Sequence, residues 1–401
     1  MKAPDPFKSQ AEMKYPLLFW LRKNLFSSGG NSFLTVVFLF LIFLLVRDGI
    51  VPLFSWDWTV ITVNLQLILV GGYPSGQLWR LWLCIGYMAF FAGFSFGIAR
   101  RAPHPVMYGV AALLVILGCL KFKPVNRGGM IGAALALFFG FFVSRFLSRR
   151  RRIATVIGGW ILFLPLAFCL VRGFGGFMPV VKTGSWGGLL LSLLISLTCI
   201  ASALPLGLFL ALGRRSRLPA VKSLCIFFIE IVRGVPLVTI LFVGYLILPM
   251  ALPQWLSPSV FVRALAGIVM FHSAYMAEAF RGGLQGIGRT QYEAAASLNL
   301  SPSKTMALVI LPQVFKRMIP VLVNSFTSAL KDTSLISIIG MLDMIGIGSS
   351  IVSNPKFITG SPQILFFEGV IYFILCFSIS KSSSSLEKKL GVAAGIIGNI
   401  K

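Results

Sequence analysis

The sequence predicts an all-α polytopic membrane protein of about ten transmembrane helices, and three observations predict it. The chain is 57% hydrophobic and only 12% charged, with a mean hydropathy of +0.89. A water-soluble domain does not carry that much apolar surface. Apolar runs approaching the ~20 residues that a spanning helix needs begin near Phe33, Leu81, Met107, Met130, Ile153, Leu189, Ser223, Phe261, Met318 and Gln363. Finally, the cations cluster in short loops between those runs, as in RRRR (149–152) and GRRSR (213–217). A net charge of +25 on its own would suit nucleic acid, but this placement is the bias that orients spans in a membrane. Membrane lipid, not nucleic acid, is the expected surroundings.

The first run follows a tail (1–31) and lacks a small-residue cleavage site, so it reads as a retained span. With that tail cytoplasmic, the loops after the second, fourth, sixth and eighth spans also face the cytoplasm. They hold Arg100 and Arg101; Arg145 and Arg149 to Arg152; Arg214, Arg215, Arg217 and Lys222; and Arg281 and Arg289. The exception is Lys121, Lys123 and Arg127, which this count places outside. The six cysteines (Cys84, Cys119, Cys169, Cys199, Cys225, Cys376) lie in apolar runs without paired spacing. They read as small buried hydrophobes, and no disulfide or metal site is expected.

The acids divide the chain. After Asp57 none occurs until Glu230, and the rest are Glu278, Glu293, Asp332, Asp343, Glu368 and Glu387. An N-terminal transmembrane region of about five helices (32–175) is therefore nearly pure anchor chemistry. The polar machinery lies in a second transmembrane domain (186–387) with a cytoplasmic loop at 282–312. The stretch RGFGGFMPVVKTGSWGG (172–188) breaks any span and is placed along the membrane surface, and KSSSSLEKK (381–389) reads as a solvated start to the tail 388–401.

One stretch is not membrane-like: QYEAAASLNLSPSKTMALVILP (291–312). Thr290 and Glu293 have capping-box spacing, and Ala294 to Ala296 favour helix. Asn299 suits a left-handed helix stop, Ser301 and Pro302 suit a helix restart, and Pro312 marks the entry to the next span. The expected product is a helix of roughly 8 residues, ~12 Å long, a corner, and a second helix. So short a helix is not stable alone, and its alanine face suits another protein's groove.

This stretch resembles the cytoplasmic loop of ATP-binding-cassette importer permeases, whose pattern is Glu-Ala-Ala, three residues, Gly, nine residues, Ile, one residue, Leu-Pro. Here it is Glu293, Ala294, Ala295, then Asn299, Val309, Leu311 and Pro312. Asn299 replaces the Gly but keeps the left-handed corner, and Val309 replaces the Ile but keeps the apolar contact. FIEIVRGVPL (228–237), AYMAEAFRGGLQGI (274–287) and LKDTSLISIIG (330–340) resemble the polar amino-acid (His/Glu/Gln/Arg) branch. WDWTVITVNLQLILVGGYPSGQLWR (56–80) and WGGLLLSLL (186–194) are similar to the bacterial general L-amino-acid permeases. The resemblance implies a C-terminal five-helix type I importer core and a multi-pass protein of the bacterial inner membrane. It also implies cytoplasmic ATPase subunits docking on Glu293, Ala294, Ala295 and Asn299, a second related permease chain, and a periplasmic amino-acid-binding protein. ATP and Mg would sit on the ATPase, with no cofactor on this chain.

The remaining candidates have two readings each. Glu293 serves the cap, the docking, or both. Glu230 with Arg233, and Glu278 with Arg281, are spaced to pair along a helix. Arg281 reads as a snorkelling helix end. Gly234 and Pro236 make a helix break, tolerated in a membrane beside a cavity, so Glu230, Arg233, Gly234, Pro236 and Glu278 are candidates for the translocation path. His272 and Tyr275 either pack or face that path. Lys331, Asp332 and Thr333, about 30 Å along a helix from Pro312, are placed near the outer face, as a helix end or as a contact for substrate or its binding protein. No G-x-x-x-x-G-K-[ST] loop or H-E-x-x-H occurs, so bond chemistry on this chain is not expected. The rival reading is an ion-gradient-driven amino-acid transporter with Glu230 and Glu278 at a midplane site. It leaves the Glu-Ala-Ala loop unexplained.

Overall fold

The computed structural model describes residues 16–99, 105–119 and 127–390. Among them no strand forms, only the isolated bridges Gly175–Met178 and Gly188–Asp343. The chain divides into two compact units, Met1–Trp58 and Thr59–Lys401.

The first unit contains α1 (Pro16–Asn24) and α2 (Gly29–Leu45). Ser28 caps α2 by accepting the Asn31 N–H at 3.2 Å. The run continues through a π-turn (Val46–Ile50) and a 3-10 turn (Val51–Phe54). No residue of α2 is buried, although nearly all are apolar. Hydrocarbon is the solvent such a helix fits.

The second unit contains α3 (Thr59–Val70), α4 (Trp79–Ala99), α5 (Pro105–Cys119), α6 (Arg127–Phe146), α7 (Arg149–Arg172), α8 (Gly188–Gly213), α9 (Pro219–Gly234) and α10 (Leu237–Phe242). It continues with α11 (Val260–Gln285), α12 (Arg289–Ser297), α13 (Leu311–Asp332), α14 (Met344–Val352) and α15 (Ser361–Leu390). Among the described residues eight helices are long and apolar enough to cross a membrane, and nine if the bent pair Pro219–Gly234 and Leu237–Ala251 is one span. The tenth expected span, near Met107, is α5. Its 15 residues reach only ~22 Å at 1.5 Å per residue, less than a hydrocarbon core. Arg100, Arg101, Lys121 and Lys123 lie outside the described residues.

Glycine sets the packing of the region before residue 172. α4 and α6 run side by side so closely that a Cβ on Gly93 would strike the Leu137 carbonyl, and one on Gly140 the Phe90 carbonyl. Small residues at such seams let membrane helices approach where no hydrophobic effect draws them together. α7 joins α4 by a hydrogen bond from the Tyr87 hydroxyl to the Gly159 carbonyl at 2.9 Å.

A second glycine junction connects this region to α8. Gly71 (φ 62°) and Gly188 (φ 58°) are left-handed. A Cβ on Gly71 would meet the Gly187 Cα at 2.5 Å, and one on Gly188 the Ile68 carbonyl. The Gly188 N–H donates to the Leu342 carbonyl at 2.9 Å. The stretch 172–188 is therefore anchored at its end by this junction, while Phe174, Phe177 and Val180 stay exposed. Its Trp186 is buried beside Phe261 and near Leu191, Ile195 and Ile268. A second apolar cluster gathers Ala277, Phe280 and Leu284 of α11 with Ile310, Val314 and Met318.

Two expectations are corrected. The residues 381–389 are not a loose tail: α15 runs to Leu390, and the Ser383 hydroxyl donates to Glu387 Oε1 at 2.6 Å, one turn away. The cysteines among the described side chains are free, but only Cys199 is buried, and Cys169 is exposed. An apolar run in lipid carries outward-facing positions as well as inward ones.

Candidate functional site

Three groups of the candidate residues come together. The first is the corner after α12. Asn299 is left-handed (φ 55°), alone among the described non-glycine residues. The Leu300 N–H donates to the Ala295 carbonyl (3.1 Å) and the Asn299 N–H to the Ala296 carbonyl (2.8 Å). That pair of bonds is a Schellman motif, which satisfies the last carbonyls of the helix. Ser301 and Pro302 then restart the helix as N-cap and first residue, though Ser301 makes no side-chain cap bond.

The capping box does not form. α12 starts at Arg289 with Gly288 as N-cap, so Thr290 is already inside the first turn and Glu293 lies beyond reach of the cap. Glu293, Ala294, Leu298 and Asn299 are exposed, while Ala295 is buried. The outward surface therefore includes Glu293, Ala294, Leu298 and Asn299, with Gln291, Ala296 and Ser297 exposed beside them. The exposed Leu298 was missed, and its only signal was an apolar residue beside the helix stop. Leu311 and Pro312 do not open a new helix either. They continue an unbroken run from Pro302 to Ile339, entered through a π-turn at Thr305–Ile310. The wider turn accommodates the N–H that Pro312 lacks, and Gln313 Nε2 donates to the Val309 carbonyl at 3.0 Å.

The second group is an ion-pair cluster centred on Glu278. Arg214 Nη1 lies 3.6 Å and Arg233 Nη1 3.5 Å from Glu278 Oε2, and Arg281 closes on Oε1 through Nε at 2.8 Å. Arg281 also donates to Gln285 Oε1 at 2.8 Å. Glu230 pairs with Arg214 Nη1 at 3.1 Å, not with Arg233 as its spacing suggested. Arg233 is drawn to Glu278 and stacks 5.6 Å from the Tyr275 ring centre. Arg214 was read only as an orienting cation, because the partner that reveals its role is distant in sequence. α9 ends at Gly234, Val235 is extended and Pro236 leads into α10, with a 106° bend across the break. A cavity of about 390 Å³ beside the cluster is lined by Arg214, Arg215, Arg281, Leu284 and Gln285. Three arginines on one carboxylate tie α8, α9 and α11 together at the end nearest α12, and leave an excess of positive charge facing that cavity.

The third group joins α11 and α13. His272 Nε2 lies 3.2 Å from Asp332 Oδ2, though not aligned for a hydrogen bond. His272 is midway along α11, and Asp332, the last residue of α13, meets it at that level. Thr333 is fully buried and donates to the Leu330 carbonyl at 2.8 Å, while Lys331 is exposed. Among the described residues no group of three or more His, Cys, Asp or Glu is placed to hold a metal.

Comparison with known proteins matches residues 203–391 to the family described as "Binding-protein-dependent transport system inner membrane component". The chain is 38% identical to an inner membrane amino-acid ABC transporter permease protein, YhdY, of Escherichia coli, over 93% of this chain and 92% of that one. It is 33% identical to the glutamate/glutamine/aspartate/asparagine transport system permease protein BztC of Rhodobacter capsulatus, over 92% and 93%. A solved structure described as "Crystal structure of an amino acid ABC transporter with histidines" is 30% identical over 49% of this chain and 90% of its own, with a TM-score of 0.45. Helices built to cross a membrane, an exposed helical corner carrying Glu293 and Asn299, and near full-length similarity to these relatives agree: the chain belongs to the inner-membrane permease components of binding-protein-dependent, ATP-binding-cassette transport systems, in their amino-acid branch.

Proposed function

We propose that this chain is the membrane-spanning subunit of an importer that carries L-amino acids across the bacterial inner membrane, driven by ATP hydrolysis on a separate subunit. The observation that carries the reading is the α12 corner. A short helix with Glu293, Ala294, Leu298 and Asn299 turned outward is a docking surface, and the sequence contains no nucleotide-binding loop that would let the chain use ATP itself. The N-terminal tail is cytoplasmic in this reading, and the ATPase meets α12 from that side. ATP and Mg belong to the ATPase. Closure of the ATPase would displace α12 and the helical run behind it, favouring one of two membrane conformations. A periplasmic amino-acid-binding protein delivers the substrate, and a second related permease chain completes the path. Glu230, Arg233, Gly234, Pro236, Tyr275 and Glu278 line that path towards the cytoplasm, with His272 and Asp332 at its middle. Lys331, exposed beside Asp332, contacts the substrate or its binding protein, with the buried Thr333 behind them.

The test is gentle co-purification of the tagged chain from its own membrane, followed by amino-acid uptake into vesicles. Recovery of an ATPase and a second permease, with uptake that needs ATP and survives an ionophore, is the expected result. Recovery of the chain alone after crosslinking, with uptake abolished by the ionophore, would overturn it. No observation favours the ion-gradient-driven alternative.

A further inference from the structure

The cavity beside the Glu278 cluster lies outside the proposed path, and its lining is one-sided. Arg214, Arg215, Arg281, Leu284 and Gln285 enclose about 390 Å³, and none of them is acidic. Arg281 Nη1 already occupies Gln285 Oε1 at 2.8 Å, so what Gln285 has left to offer is a donor. Close by, Glu230 and Glu278 pair with Arg214, Arg233 and Arg281. The Arg215 side chain has no hydrogen bond or ion pair among the described residues. Four guanidiniums therefore face two carboxylates, and the excess positive charge borders the cavity.

Cations that merely orient a span reach out into water. Arg214 and Arg281 are drawn inward instead, with 26% and 34% of their side chains exposed. The depth is also telling. α8 has 26 residues, about 39 Å at 1.5 Å per residue, and Arg214 and Arg215 follow directly on its last one. A helix of that length reaches past a ~30 Å hydrocarbon core, which puts the cavity at the level of the lipid phosphates. On either side of the turn that carries these arginines, α8 exposes Leu206 and Phe209 and α9 exposes Leu224 and Phe227, a surface suited to hydrocarbon.

Donors without acceptors select an anion. A phosphodiester presents paired oxygens that guanidinium groups bind in a fork. A free amino acid or a zwitterionic headgroup brings a cationic group as well, and the lining has no side-chain acceptor left to receive it. Basic pockets between membrane helices on the cytoplasmic side suit anionic headgroups.

We propose that this cavity binds the phosphate of an anionic phospholipid of the cytoplasmic leaflet, held by Arg214, Arg215 and Arg281. The choice of leaflet rests on the cytoplasmic tail of the transport reading; the phosphate site does not. The bound lipid adds its charge to those of Glu230 and Glu278 and ties α8 to α11 at the end nearest α12.

The experiment is native mass spectrometry of the full chain, with whatever subunits accompany it, in mild detergent while phosphatidylglycerol or phosphatidylcholine is titrated in. Retained lipid is counted by mass whether or not an ATPase is present, so a failure of the transport reading leaves the result readable. Phosphatidylglycerol is expected to be retained in preference to phosphatidylcholine. Its dissociation constant should rise roughly fivefold or more in Arg215→Gln and stay within about twofold in Lys222→Gln at physiological salt. Arg215 is outside the ion pairs, so its loss spares the fold. Lys222, exposed on α9 and absent from the lining, controls for charge alone. Excess inorganic phosphate should not displace the lipid. Retention of neither lipid or of both equally, a weakening that is absent or equal in the two variants, or displacement by phosphate, which would assign the cavity to a free anion, would each overturn the proposal.

Discussion

Glu293 stands on the exposed face of α12 with no part in the helix cap, so its charge is available to a partner. Reversing that charge leaves α12 and its corner intact, because the Schellman bonds use only backbone atoms of Ala295, Ala296, Asn299 and Leu300. Glu293→Lys is expected to lower amino-acid uptake at least tenfold while membrane insertion stays normal. Uptake within twofold of the unaltered protein would remove α12 as the docking surface. The residue scale also shows what spacing can and cannot carry. Asn299 was legible because a left-handed stop is a local property of one residue. Thr290 misled because the capping box depends on where the first turn starts, and Gly288 started it two residues earlier than the pattern implied. Arg214 could not be assigned, since Glu230 and Glu278 reach it from two other helices.

At the scale of elements, α4 and α6 touch where they carry glycine. Gly93 and Gly140 lie against carbonyls of the facing helix, whereas Gly132 has nothing within 4 Å of where a Cβ would stand. Gly140→Val should therefore force the pair apart and cost at least the ~1–3 kcal/mol typical of overpacking. Gly132→Ala should be neutral or slightly stabilising, by up to about 1 kcal/mol. Thermal unfolding of the purified protein checks both, and equal losses in the two variants would mean that helix propensity rather than contact governs the seam. The same logic explains the two stretches carrying GG at 71–72 and 187–188. Their resemblance to a family was visible in the sequence, but not the reason for the glycines. Gly71 and Gly188 are left-handed, and their backbones meet. Hydropathy reports where a helix is, and is silent about which other segment it touches.

For the whole molecule, composition and charge placement sufficed to predict an all-helical membrane protein, because lipid permits few other solutions. The span count was less legible. The break at Gly234 to Pro236 makes one expected span a bent pair, and α5 is short. Topology by charge places the loop 121–127 outside. A cysteine at Lys123, in intact cells, is expected to react with a membrane-impermeant reagent added from the periplasmic side. Labelling only after the inner membrane is opened would reverse the orientation of the neighbouring spans. The separation of acids from the N-terminal region was also legible. It matches the structure, in which α9, α11 and α13 carry ion pairs while the earlier helices pack through small and aromatic residues.

The π-turn at Thr305–Ile310 has one more consequence. A turn of this kind holds one residue more than an ordinary helical turn, and each residue in a helix carries about 100° of rotation. It is the mark of a single insertion whose effect on everything downstream has been absorbed where it occurred. Deleting one residue from within 305–310 would restore a regular helix and leave Asp332 still facing His272. Deleting one from 314–323 would swing Asp332 about a quarter of a turn away from it.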